Sequence, residues 1–188
     1  MSSRSRSGSL LSFIITIALA VAVAIVLRVF VIGTYQVPSG SMLDTIQIGD
    51  LLIGEKVSLH FSSPRRGDIV TFDSPRESGT TLIKRVIATE GQTIDFRDGS
   101  VFVDGELLDE PYVQGKATES LSDLVGSAGI TYPYTVPSGC IFVMGDNRTN
   151  SADSRYFGAV STEAVTSRAL FIYWPLSDIG SLVYSSSE

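Results

Sequence analysis

Of cysteine and histidine, the 188 residues contain one each, Cys140 and His60. A lone cysteine excludes an internal disulfide. A lone histidine excludes any multi-histidine metal site, and the pair together excludes a zinc site of the Cys2His2 type. At most one Ser–His or Cys–His pair is left for nucleophilic chemistry. Clustered positive charge is also missing. Lys and Arg number 14 against 20 Asp and Glu, the formal net charge is −6, and no basic run interrupts the chain. Phosphate neutralisation needs grouped Lys and Arg, so no nucleic-acid partner is expected. Acidic residues are absent from the first 32 positions, where Arg4, Arg6 and Arg28 carry the only charges. The remainder holds 11 basic and 20 acidic residues, a net charge of −9.

Hydrophobicity takes the place of charge at the amino end. Leu10 to Leu27 is apolar except for Ser12 and Thr16, and Val29 to Ile32 continues the run beyond Arg28. At about 1.5 Å per helical residue, this stretch covers roughly 27 Å, close to a bilayer's hydrocarbon core. The apolar region of a secretory signal peptide is shorter, about 7–15 residues. A core helix would show a polar face at helical period, and this run has none. The expectation is an uncleaved anchor. Arg4 and Arg6 favour a cytoplasmic amino terminus, which puts everything after Gly33 on the outer face. Arg28 can snorkel to the headgroups.

Beyond the anchor, a body of roughly 155 residues is enough for one sizeable core. Short β-type runs separated by turn residues predict strands at Leu51–Lys56, Asp68–Phe72, Leu82–Thr89, Ser100–Val103, Cys140–Met144 and Ala169–Tyr173. Asp98-Gly99 and Asp104-Gly105 fall where hairpin turns would lie. Gln114–Thr131, rich in Ser, Gly and Thr, reads as a solvated surface excursion. In the ending Phe171-Ile172-Tyr173-Trp174, Phe171 is expected in the core and Trp174 at an interface.

Four segments carry chemistry or support it. Val37-Pro38-Ser39-Gly40-Ser41-Met42 places two hydroxyls in a rigid turn with free backbone N–H groups, which suits a nucleophile beside an oxyanion hole. Read alone, it is an ordinary loop just as readily. In Leu82-Ile83-Lys84-Arg85-Val86-Ile87, strand alternation sets Lys84 on the face of Leu82 and Val86. Burial lowers a lysine's pKa, and the neutral amine can serve as a general base. The plain alternative is an edge lysine that discourages aggregation. Gly145 to Arg155 is a dense polar run after an apolar strand. Arg148 and Ser151 stand where a calcium loop would need an oxygen ligand and a turn glycine, so Asp–Arg pairs holding a loop are the better reading. Arg66 to Phe72 is a turn leading into a buried strand.

Taken in order, Pro38–Met42, Arg66–Phe72, Ile83–Arg85 and Gly145–Arg155 resemble the bacterial type I signal peptidase family, over nearly the whole chain. The resemblance implies a mainly β fold, with a single N-terminal transmembrane helix followed by a catalytic domain of coiled antiparallel β-sheets. Residues 1–33 would form the cytoplasmic tip and anchor. Residues 34–188 would form the extracytoplasmic domain, with a variable insert at about 96–138. The implied activity is a serine endopeptidase of the cell membrane that cuts N-terminal signal peptides from exported preproteins after small residues, at Ala-x-Ala-like sites. Signal peptides and membrane lipid are its implied partners, and it needs no cofactor or metal. The oligomeric state is left open.

By the same resemblance, Ser41 would be the nucleophile and Lys84 the general base, a dyad that needs no histidine. Ser39 would add a hydroxyl to the oxyanion hole, and Ser151 would orient the Lys84 amine. Asp146, Arg148, Asp153 and Arg155 would support the loop. Tyr35, Val37, Met42, Leu82 and Ile83 would receive an extended substrate. Asp44 departs from the family, standing where a proline is common, and is expected to face solvent. Two other readings remain. One is a catalytically impaired assembly factor of the same architecture. The other is a sortase-type transpeptidase using His60, Cys140 and Arg148, although its Thr-Leu-x-Thr-Cys context is missing.

Overall fold

A computed structural model describes residues 4–121 and 128–183. Helix α1, Arg4–Val26, winds into a wider π-type turn, Leu27–Val31, and passes without a linker into strand β1, Ile32–Gln36. Among the described residues, one helical stretch, Ser9–Val31, is long and apolar enough to cross a membrane. All its side chains up to Phe30 are exposed, so no part of the body packs along it.

The body is β. Its strands are β2 (Leu51–Glu55), β3 (Ile69–Asp73), β4 (Thr81–Thr89), β5 (Thr93–Arg97), β6 (Ser100–Val103), β7 (Glu106–Leu107), β8 (Tyr134–Thr135), β9 (Cys140–Met144), β10 (Val160–Ser161), β11 (Val165–Trp174) and β12 (Gly180–Ser181). The larger sheet runs β1-β2-β11-β3-β4-β9-β10, with β12 also paired to β11, and the smaller runs β7-β6-β5-β8. Every pairing described is antiparallel. The two tight turns of the smaller sheet follow from sequence. Asp98 and Gly99 adopt φ of +49° and +76°, and Asp104 and Gly105 adopt +54° and +84°. Two successive left-handed residues match the twist of the flanking strands, which favours Asp-Gly there.

Each of the six strands expected from sequence is present, with ends displaced by a few residues at most, except that β11 starts earlier, at Val165. β1 gave no separate strand signal in sequence because its first residue, Ile32, closes the helix's apolar run and only Gly33-Thr34-Tyr35-Gln36 remain. The long excursion needs correction. Thr118 is 2% exposed and Ile130 8%, so both ends of Gln114–Thr131 pack inward. Its central part, 122–127, lies outside the described residues. Phe171 is likewise not a core residue but 37% exposed. A register shift between Ala169 and Phe171 turns two consecutive side chains outward, and Ile172 points inward instead. Trp174 is 52% exposed.

Three apolar clusters hold the body together. The one that matters for the site joins Val37, Met42, Ile46, Leu52, Ile69, Ala169 and Ile172, with Tyr35 and Ile83 packed against it. It therefore ties the segment after β1 to β2, β3, β4 and β11. In a flat sheet β1 would lie four strand spacings from β4, or about 19 Å. Strong coiling of the sheet around this cluster brings the end of β1 back onto β4.

Candidate active site

The chain leaves β1 into a closed loop. Val37 N–H donates to the Asp50 carbonyl at 3.0 Å, and Gly49 N–H donates to the Val37 carbonyl at 2.8 Å. The Asp50 carboxylate accepts from Gln47 N–H at 2.8 Å. Met42 and Ile46, both fully buried, plug the loop into the first cluster. Ser41 rides on that turn at 8% exposure.

Lys84 meets it from β4. Its ammonium nitrogen lies 2.7 Å from Ser41 Oγ and donates to the Ile83 carbonyl at 2.9 Å. Lys84 is 3% exposed. Burial disfavours the charged amine and lowers its pKa to about 8, while Asp153 and Asp146 oppose a further fall. Both carboxylates are already committed to arginines. Arg85 donates to Asp146 at 2.9 and 2.7 Å, and Thr45 donates to the same carboxylate at 2.6 Å. Arg155 donates to Asp153 at 2.9 Å from each of Nε and Nη2. An acid with such a partner raises the lysine's pKa less than a free one would.

The polar loop after β9 then clamps the serine turn. Asn147 N–H donates to the Ser41 carbonyl at 3.1 Å, and Asn147 Nδ2 to the Gly40 carbonyl at 2.9 Å. Gly145 lies so close that a Cβ there would sit 2.4 Å from the Ser41 carbonyl oxygen and 2.3 Å from Ser151 Oγ. Only glycine fits.

The remaining expected residues are distributed unevenly. Ser39 is exposed on the same turn, between Pro38 and Gly40. Ser151 Oγ is buried without a hydrogen-bond partner, and the Ile83 carbonyl, rather than Ser151, provides the second contact to the Lys84 amine. Arg148 does support the loop, donating to the Gly145 carbonyl at 3.0 Å, but its carboxylate partner is Glu110 and not a loop aspartate. Val37 and Met42 are 3% and 0% exposed, so these side chains lie behind the site instead of lining its surface. Tyr35, Leu82 and Ile83 are partly exposed. From Thr81 to Lys84, β4 pairs only with β3, because β9 begins its pairing at Arg85. That half of β4 offers a free edge beside Ser41. Asp44 pairs with Lys116 at 3.3 Å, both half exposed, and stays out of the Lys84 environment. His60 and Cys140 line separate cavities, His60 beside Val29 and Phe30, Cys140 beside Arg65 and Glu90.

The model of the family described as signal peptidase, peptidase S26, matches residues 10–174. The chain belongs to the signal peptidase family. It is 37% identical over 174 residues to signal peptidase I of Leptolyngbya laminosa, covering 89% of this chain and 81% of that one. A probable signal peptidase I-1 of Synechocystis is 39% identical over 170 residues, with 87% and 82% covered. Signal peptidase I of Bacillus caldolyticus is 38% identical over 160 residues, with 83% and 87% covered. The enzyme class follows from these relationships, a type I signal peptidase.

Around this signal peptidase site, several partners escape a reading of the sequence. Arg85 was visible beside Lys84, but alternation alone places it on the opposite face without saying that this face is buried too, at 3% exposure. Glu110 and Tyr112 come from the region expected to be a variable insert. Tyr112 stacks under the Arg85 guanidinium, 3.9 Å from ring centroid to Cζ, and donates to Glu110 at 3.0 Å. Glu110 holds Arg148, which also donates to Thr118 at 2.8 Å. No local pattern marks such pairs, because each depends on where the smaller sheet docks.

Proposed function

We propose that this enzyme is a membrane-bound serine endopeptidase that cuts N-terminal signal peptides from exported preproteins after small residues, with Ser41 as nucleophile and Lys84 as general base. The observation that carries the reading is the 2.7 Å approach of the Lys84 amine to Ser41 Oγ, with both residues buried. A lysine with its pKa lowered to about 8 is neutral often enough near neutral pH to take the hydroxyl proton. Ser41 Oγ then attacks the scissile carbonyl, and the Lys84 ammonium returns the proton to the leaving amine. Water, activated by the same amine, hydrolyses the acyl-enzyme. The Ser41 N–H and the Ser39 hydroxyl are assigned to the oxyanion.

The substrate is assigned as an added strand on the free edge at Leu82–Ile83, facing Tyr35. Asp146, Arg148, Asp153 and Arg155 keep the loop and its charges in register. Residues 1–33 serve as cytoplasmic tip and membrane anchor, and residues 34–188 as the extracytoplasmic domain, with an insert at about 96–138. Exposed Trp174 meets the outer headgroup layer. The test is cleavage of a model precursor carrying an Ala-x-Ala site by wild type, Ser41→Ala and Lys84→Ala. Activity surviving in either variant would sink the dyad.

A further inference from the structure

The junction between anchor and body has an unusual construction. From Ser9 through Phe30 the helix and the turn after it are exposed, so no side-chain packing by the described body fixes their direction. The backbone continues straight into β1, and a single residue from the end of β2 reaches back across the joint. Lys56 N–H donates to the Val31 carbonyl at 3.0 Å. Its ammonium donates to the Val29 carbonyl at 3.2 Å and approaches the Arg28 carbonyl at 3.5 Å. These are carbonyls of the final helical turn, which lack intrahelical partners and carry the negative end of the helix dipole. On one side the joint is hollow. A cavity of about 320 Å³ lies between Val29 and Phe30 of the anchor and Leu59, His60, Thr162 and Val165 of the body. Packing there does not brace the helix, and Lys56 does.

We propose that Lys56 is a positioning residue that sets the angle between anchor and body, and thereby the height at which the Ser41 turn meets a membrane-embedded substrate. This rests on the membrane-protease reading above. Ser41 follows Val31 by ten positions, through β1 and a loop pinned to the core, so little slack separates the joint from the site. A change in angle at Lys56 therefore moves the site relative to the membrane. A soluble peptide diffuses to the site at any angle, whereas a signal segment held in the bilayer cannot adjust. The charge at position 56 thus selects for substrates presented from the membrane plane.

The test uses the full chain in proteoliposomes as wild type, Lys56→Met and Lys56→Arg. Methionine keeps the apolar stem and removes the donor, while arginine restores one. Each is assayed on a membrane-inserted preprotein and on a soluble peptide spanning the same cleavage site. The expected result is a loss for Lys56→Met of on the order of tenfold to a hundredfold on the preprotein, as for a catalytic geometry displaced by about 1 Å. Peptide cleavage stays at the wild-type rate, which also reports an intact fold, and Lys56→Arg recovers most of the lost activity. Equal rates on the preprotein for Lys56→Met and wild type, or a parallel loss on both substrates, would overturn the proposal. A second readout works without activity, using spin labels at Val23→Cys and Glu77→Cys in a Cys140→Ala background. Lys56→Met should broaden the label-to-label distance distribution and Lys56→Arg should narrow it again; an unchanged distribution counts against the strut. Wild type that cleaves neither substrate would instead refute the assigned function, and the distance distribution would still judge Lys56.

Discussion

Replacing Lys84 with methionine separates the two roles of that side chain, because the substitution keeps its length and removes its proton. In wild type the amine titrates at about 8 rather than at its ordinary 10.5, and burial is the main cause. The gap corresponds to about 3 kcal/mol at roughly 1.4 kcal/mol per pH step. Its sign follows from proton counting. Between pH 8 and 10.5 the unfolded chain holds the Lys84 proton and the folded chain does not, so wild-type stability rises with pH across that window. Below pH 8 both states are protonated, and the folded state carries the full penalty of a buried charge. Methionine carries no such penalty at any pH. The stability of Lys84→Met relative to wild type should therefore fall by about 3 kcal/mol between pH 7 and pH 10.5. At pH 7 the lost contacts to Ser41 and Ile83 offset the gain by about 1 kcal/mol each, leaving the variant slightly more stable than wild type. Urea midpoints of the detergent-solubilised chains at both pH values measure the difference, and other titrating groups cancel in the comparison.

On the proposed mechanism the same proton governs rate. At pH 7 a lysine of pKa about 8 is neutral roughly one time in ten, and one of pKa 10.5 roughly one time in three thousand, about a 300-fold difference. Accordingly, kcat/KM of wild type should rise with a limb near pH 8 and flatten above it, while Lys84→Met is inactive throughout. A stability difference that does not change with pH, or a rate limb near pH 10, would refute the reasoning.

Three further outcomes follow from the surrounding geometry. Gly145→Ala forces a methyl group against the Ser41 carbonyl and Ser151, so the chain should still fold, at a cost of about 1–3 kcal/mol in thermal unfolding, while kcat falls on the order of a hundredfold. Glu110→Ala leaves the Arg148 guanidinium buried without its carboxylate and should destabilise the chain by about 3–5 kcal/mol, read from denaturant midpoints, although Glu110 lies far from the motifs in sequence. Asp44→Asn should leave the limb near pH 8 in place, because Asp44 faces Lys116 at the surface; a clear shift of the limb in a pH–rate profile would show that its charge reaches Lys84.

Much of the framework was legible because its signals are local. A run of apolar residues marks a helix long and apolar enough to cross a membrane. β-branched clusters between turns mark strands, and Asp-Gly pairs mark the two hairpins of the smaller sheet. The motif segments around Ser41, Lys84 and Asp146 were visible only as an ordered set, since each read alone fits an ordinary loop or strand as readily. What failed to show were partners joined across the fold. Glu110, Tyr112 and Thr118 reach the site because the smaller sheet packs on β4 and β9 and the segment after β7 then meets Arg85 and Arg148. Met42 and Val37 were expected to receive an extended substrate, yet the loop turns both side chains into the core. Ser151 was expected to hold an amine that the Ile83 carbonyl holds.

By itself the sequence determined the long apolar helix, the strands, the turns and the residue types available for chemistry, because hydrophobic period and backbone preference act over a few neighbouring positions. Tertiary structure alone decided that Ser41 and Lys84, 43 positions apart, stand 2.7 Å from each other. It also decided which carboxylates face the amine and that Lys56, just past the end of β2, reaches the last carbonyls of the amino-terminal helix. These outcomes depend on how far the larger sheet coils, and coiling is set by the packing of the whole core rather than by any segment of it.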